Sequence, residues 1–212
     1  TNLTAATTPL TEGVTPTGSQ LAVTTISATV QQYGDFILTS DKLNMETEDP
    51  IRNQQTELLG YQAGLTLDTL TRDILNAGTN VIFGGSGHTL RTQVAAGEII
   101  TTAMIISAVK TLKVANALFI TSFVDPTTGV APLPLAPCFI GIVHPNITPT
   151  LEAMTGWTKV ELYANAGARM ENEIGKYSNV RFVESTNAKV FTGGGDLGID
   201  GYSKVIFGQW AY

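Results

Sequence analysis

Apolar and polar positions alternate between residues 21 and 40, but in two phases: Leu21 and Val23 share one face, and Ile26, Ala28 and Val30 share the other. The slip near Thr24-Thr25 predicts a β-bulge bending a long strand, because one inserted residue reverses every side chain after it. Over 35–40 the strand is expected to continue, with Phe36 and Leu38 on one side. The period then lengthens. Asp49-Pro50 is an N-cap followed by proline at the first helical position, and Ile51, Leu58, Leu59, Leu65, Leu70 and Ile74 recur at helical spacing. A helix is predicted over 49–78, closed by Gly78 in the left-handed C′ position. At ~1.5 Å per residue it would run ~42 Å, more than twice the usual length. Gly60 and Gly64 stand one turn apart inside it, each costing about 1 kcal/mol relative to Ala. Close packing of another backbone on that face is the compensation expected.

A Gly-rich turn at 84–87 leads to a second helix from Thr101 or Thr102 to about Asn116, with Met104, Ile105, Ala108, Val109 and Leu112 as its buried stripe. Strands are predicted over 117–124, followed by a turn at Asp125-Pro126 and Gly129, and over 138–143, an apolar run buried on both faces. Thr148-Pro149 repeats the cap-plus-proline signal and opens a short helix ending near Gly156. Residues 180–183 and 189–191 read as paired strands, and a flexible loop over 193–201 precedes a last strand at 204–207. The predicted class is α+β. Residues 1–20 stand apart: Pro9, Gly13, Pro16 and Gly18 punctuate a Thr-rich stretch without aromatic residues. Such a segment buries too little to fold alone and reads as an arm ordered by a partner.

Composition narrows the function. Charged residues make up 14% of the 212, against roughly 25% in a typical soluble domain. A free monomer stays in solution through charge, whereas a subunit covered by neighbours needs less of it. The net charge of −6, with no run of five Lys or Arg, argues against a protein that grips nucleic-acid phosphates. A single cysteine, Cys138, excludes an internal disulfide framework and fits a reducing cytoplasm. No apolar run reaches the ~18 residues of a membrane span; the longest is broken by Thr101-Thr102 and Ser107. The opening Thr1-Asn2-Leu3-Thr4 lacks the basic start and apolar stretch of a signal peptide, and Thr in place of Met reads as trimming from a longer chain.

Motifs that carry chemistry fail on their surroundings. Gly193, Gly195 and Gly198 spell G-x-G-x-x-G, but a dinucleotide site needs a helix after the loop, and a strand is predicted there. Asp196 and Asp200 match no calcium-loop spacing. Cys138 and His144 are six residues apart on one strand, or ~20 Å, too far for proton transfer. His88 lies in a Gly-rich turn without a Cys or carboxylate at metal-ligand spacing. Glu46, Glu48 and Asp49 precede a helix start, where negative charge complements the dipole, and Glu171 and Glu173 read as solvated loop residues. No catalytic, cofactor-binding or metal site is predicted, and the chain is not expected to be an enzyme.

Several local sequences carry a likeness. Pro9-Leu10-Thr11-Glu12-Gly13-Val14-Thr15-Pro16-Thr17-Gly18 resembles the extended loop of a group of tailed-bacteriophage major capsid proteins. Gln32-Tyr33-Gly34-Asp35-Phe36, Glu57-Leu58-Leu59-Gly60-Tyr61-Gln62-Ala63 and Leu67-Asp68-Thr69-Leu70-Thr71-Arg72-Asp73-Ile74-Leu75-Asn76-Ala77-Gly78 are similar to the same group. So are Glu173-Ile174-Gly175 and Val180-Arg181-Phe182-Val183-Glu184-Ser185, all in the family's order.

The resemblance implies the HK97-like capsid fold and a place in the virion, with assembly in the bacterial cytoplasm. Residues 1–34 would be the extension loop and return strand, and 35–100 a peripheral domain with the spine helix at 49–78. Residues 101–175 would be mainly the axial domain, and 176–212 the late strands completing both. Leu10, Glu12, Val14 and Pro16 would touch a neighbouring subunit, and Gly60 and Gly64 would be close-packing positions of the spine helix. The implied partners are copies of the chain in pentamers and hexamers, around double-stranded DNA enclosed without specific binding; cement or decoration proteins are also admitted. No cofactor and no membrane are implied. Some relatives cross-link shells through a lysine in the loop, but no Lys occurs here before Lys42. The family's N-terminal arm and its chain beyond the last strand are not expected within these residues. An encapsulin-like cargo compartment and a β-rich ligand-binding module are the alternative readings.

Overall fold

The computed structural model describes residues 6–16, 18, 25, 27, 29–46, 51–124, 132–163 and 169–209, with the backbone alone at 44, 123–124 and 132–135. The chain divides into two units, Thr1–Ile37 and Leu38–Tyr212.

Every described residue of the first unit is exposed and none lies in a helix or strand. Among its described residues the chain turns at Thr11, whose carbonyl accepts from Val14 N at 3.2 Å. Gly13 takes φ +82° there, a conformation that favours glycine. The expected slip at Thr24-Thr25 falls among residues outside those described. The strand expected over 35–40 does not form. Alternation supplies a face but not a neighbouring ladder, and Asp35 bonds locally instead, its Oδ1 accepting from Phe36 N at 2.8 Å.

The second unit is mixed α+β. It opens with α1 (Asp41–Glu46), not foreseen from the sequence, whose first turn is capped by Ser40 Oγ accepting from Leu43 N. Helix α2 (Ile51–Asn76) follows, ~39 Å long at ~1.5 Å per residue. The Asp49-Pro50 start signal lies outside the described residues. At the other end Gly78 does not take the left-handed conformation expected of it. Ala77 N closes the helix by bonding to the carbonyls of Asp73 and Ile74, so no left-handed residue is needed.

Helix α3 (Thr102–Val114) has the expected stripe: Ile105 and Val109 are buried, and Met104, Ala108 and Leu112 half-buried. Thr101 caps it by accepting from Met104 N. Strands β1 (Ile120–Val124) and β2 (Pro132–Val143) pair antiparallel. The turn between them is outside the described residues. A short 3-10 turn, Pro145–Ile147, leads into α4 (Thr148–Glu152). Thr148 was expected to cap this helix but is its first residue: Ile147 stands at the N-cap without a side-chain bond, and the Thr148 hydroxyl donates to Glu184. Strands β3 (Thr158–Lys159), β4 (Glu173–Tyr177) and β5 (Val180–Glu184) follow, then the hairpin β6 (Val190–Phe191) and β7 (Gly201–Tyr202), and finally β8 (Val205–Phe207).

The main sheet runs β1-β2-β5-β4-β3, with β8 also on β2. The C-terminal half of β2 is its centre: Phe139 to Val143 lie parallel to Val180 to Glu184, while Ile140 and Ile142 face Phe207 and Val205 of antiparallel β8. The expected pairing of 180–183 with 189–191 is not made. Val190 and Phe191 pair with Tyr202 and Gly201 because the glycine-rich loop turns the chain straight back. One face of the sheet carries Phe139, Val143, Val180 and Phe182, packed with Ile105, Val109 and Leu151 into the core. The other face meets α2 across a cavity of about 260 Å³ lined by Asp68, Leu75, Ile142, Val183, Val205 and Phe207.

Gly141 is where the core allows no side chain. A Cβ there would lie 2.8 Å from Cδ1 of Phe182, whose ring is fully buried. Gly141→Ala is therefore expected to destabilise the protein by about 1–3 kcal/mol, read as a lower urea midpoint. Gly64 is the contrast, since a Cβ there meets nothing within 4 Å. Gly64→Ala should raise the stability of the unassembled chain by up to about 1 kcal/mol through helix propensity alone. A loss of stability in that variant would mean that the site is crowded.

Candidate functional site

Helix α2 has no buried residue among the 26. Leu58, Tyr61 and Leu65 line one face at three- and four-residue spacing, and all three are exposed. Leu67 and Ile74, on the opposite side, are exposed too. The expected single stripe is thus not a core contact: of its members only Ile51, Leu59 and Leu70 are even half-buried. Among the described residues no backbone meets Gly60 or Gly64, where an added Cβ finds nothing within 4 Å. The close packing expected at those two positions is not made within the described residues.

Near its start α2 is tied by Gln55, whose side chain bonds the Thr39 hydroxyl, and its polar contacts with the sheet body lie in its last turns. Arg72 Nη1 donates to the carbonyl and to Oδ1 of Asn187, each at 2.8 Å. Asn187 Nδ2 donates in turn to Asp68 and to Thr69 Oγ1, and Ser203 Oγ donates to Asn76. Asp73 collects Arg72 and Lys189, the latter at 3.0 Å. That face of α2 continues the row of Leu58, Tyr61 and Leu65 by one and two more turns. One face therefore changes from bare and apolar to bonded and polar along its length.

Around the turn at Thr11 the structure brings Leu10, Glu12 and Val14 together, with Pro16 just beyond, and all four are exposed. A further exposed apolar row lies on α3, where Ile106 and Val114 face outward.

Other polar groups were candidates for chemistry. Glu173, expected to be solvated, is buried, and its Oε1 accepts from Arg181 Nε at 2.6 Å and from the Tyr163 hydroxyl at 2.8 Å. Its Oε2 accepts from Met170 N, which leaves both oxygens engaged. Burial pushes the Tyr163 phenol upward, and the adjacent Glu173 carboxylate pushes it further. Cys138 is buried as well, and burial raises its thiol although Arg181 opposes the shift. This network escaped sequence reading because Glu171 and Glu173 look alike in the chain. The usable signal was Ile174 and Tyr177 flanking Gly175 ahead of a two-residue turn.

His88 also has a partner that local spacing did not reveal. Its Nε2 lies 3.0 Å from Glu98 Oε1, and Glu98 Oε2 accepts from Ala95 N. Gly85, at φ +85°, sits under the pair, where a Cβ would fall 2.1 Å from Glu98 Oε1. In the glycine-rich loop Asp200 accepts from Gly193 N and Asp196 from Leu197 N, and the segment joins β6 to β7, so a strand follows it as expected. The His144 ring lies 5.3 Å from that of Tyr202, tilted by 46°, just past the end of β2 and remote along the strand from Cys138.

Compared with known proteins, the chain matches no family model and no curated protein. Among the described residues no group of three His, Cys, Asp or Glu side chains is placed to hold a metal ion, and no helix is long and apolar enough to cross a membrane. The Glu173–Arg181–Tyr163 and His88–Glu98 groups are closed by hydrogen bonds within the chain. What lies open is apolar surface.

Glu173→Ala removes the buried carboxylate that Arg181, Tyr163 and Met170 N share, and is expected to cost about 3–5 kcal/mol, measured by equilibrium denaturation. Acid should act through two other carboxyls. The hydrogen bond from Lys189, opposed by desolvation, lowers Asp73, and those from His88 and Ala95 N lower Glu98. A lowered folded value means that the stabilisation is complete above the ordinary carboxylate range near about 4 and is lost as the pH falls through the folded value. Asp73→Asn and Glu98→Gln should each flatten the fall of the thermal midpoint between pH 5 and pH 3 (about one decade either side of that range). An unchanged acid slope in both would contradict the assignment.

Proposed function

We propose that this chain is a subunit of an icosahedral shell, built on the HK97-like plan, that assembles from copies of itself into pentamers and hexamers around double-stranded DNA. The observation that carries this reading is α2. A helix gains most of its stability from packing an apolar face, yet none of these 26 residues is buried and Leu58, Tyr61 and Leu65 stand open. Neighbouring copies would cover that face. The exposed arm around Thr11 and the low charge content support the same conclusion, since both suit a molecule whose surface is shared. In this reading α2 is the spine helix and the arm is the extension loop. The net charge of −6 fits a wall that encloses DNA without gripping its phosphates.

Negative-stain microscopy with sedimentation velocity tests the proposal. Rings or closed shells forming above a threshold concentration are expected. Deleting residues 5–18 should leave the unfolding transition of the remainder in place and raise that threshold. A protein that stays monodisperse and monomeric at every concentration would overturn the reading.

A further inference from the structure

The arm and the outer face of α3 carry matching patterns of opposite sign. At the turn, Leu10 is 78% and Val14 63% exposed, with Glu12 exposed between them. The first 41 residues contain Glu12, Asp35 and Asp41 and neither Lys nor Arg. On α3, Ile106, Lys110 and Val114 follow one another at four-residue spacing and therefore stand in one row. Ile106 is 50% and Val114 74% exposed, and Lys110 is exposed between them. Lys113 beside the row leans over the Phe119 ring, 5.9 Å away, and no carboxylate of the described residues pairs with Lys110.

We infer that the outer row of α3 is the seat for the arm turn of a second copy, with Leu10 and Val14 covering Ile106 and Val114 while Glu12 meets Lys110. The inference rests on the shell-subunit reading and names the contact by which two copies join. Charge selects this pairing from its rivals. Two α3 rows would bring Lys110 against Lys110, and two arm turns would bring Glu12 against Glu12, so each like-with-like contact is repelled. Arm on α3 is also a head-to-tail contact. Each copy that receives an arm still offers its own, which is the geometry that closes into rings.

A charge exchange decides the matter. Wild type, Glu12→Lys, Lys110→Glu and the double variant are compared by sedimentation velocity, with their unfolding transitions as a control that all four fold alike. Each single reversal should raise the assembly threshold about tenfold or more, and the double variant should return to within about threefold of wild type. Added salt should narrow the difference. Wild type that assembles while Lys110→Glu assembles equally well, or a double variant no better than the singles, overturns the seat and leaves the shell reading standing. Wild type that never assembles overturns both.

Discussion

A long helix with no buried side chain needs support from outside its own length, and α2 finds only part of it within the chain. Much of what it finds is polar: Arg72, Asp73 and Asn76 grip Asn187, Lys189 and Ser203 across the cavity above the sheet, with Leu75 half-buried beside them. Hydrogen bonds of this kind fix direction and register, but each contributes only about 0.5–1.5 kcal/mol net. Apolar area, the larger source of stability, is spent elsewhere in the fold. The first four turns of α2 are tied by Gln55 to Thr39 beside the grip at the far end, and their apolar row remains available.

The body that does the gripping is organised around the second half of β2. Its two neighbours run in opposite senses, β5 parallel and β8 antiparallel, so this stretch is flanked on both edges. Gly141 leaves room for the Phe182 ring to approach the strand closely, and Phe139 and Val143 complete the face on either side. Beyond β5 the apolar core gives way to Glu173, Arg181 and Tyr163. An unpaired charge there would be far costlier than the pair itself, which makes the pair a constraint on β4 and β5 rather than a source of stability.

How much of this could be read in advance depended on whether the deciding contact was local. Helix α3 was legible down to Ile105 and Val109, because its stripe and its Thr101 cap lie within one helix. The apolar run of β2 was legible for the same reason, and so was the C-terminal end of α2 to within a few residues. Partners distant in sequence were not. Nothing near Val180 announces that it lies beside Phe139, and nothing near Arg72 announces Asn187. The strand expected at 35–40 shows the converse error, where Phe36 and Leu38 alternate convincingly but no second strand supplies the hydrogen bonds. The Pro- and Gly-punctuated stretch holding Leu10, Glu12, Val14 and Pro16 was legible as a segment without a core of its own, whereas the open row on α3 was not, because the exposure of Ile106 and Val114 depends on what distant parts of the chain pack against the helix.

The lone thiol has a practical meaning for anyone handling the molecule. Cys138 is closed inside the sheet, where oxidants and alkylating reagents meet it only after unfolding. A cysteine introduced at an exposed arm position such as Leu10 would then be the single reactive thiol of the folded chain. A fluorophore or heavy-atom cluster attached there could report on the arm while the native residue stays in place.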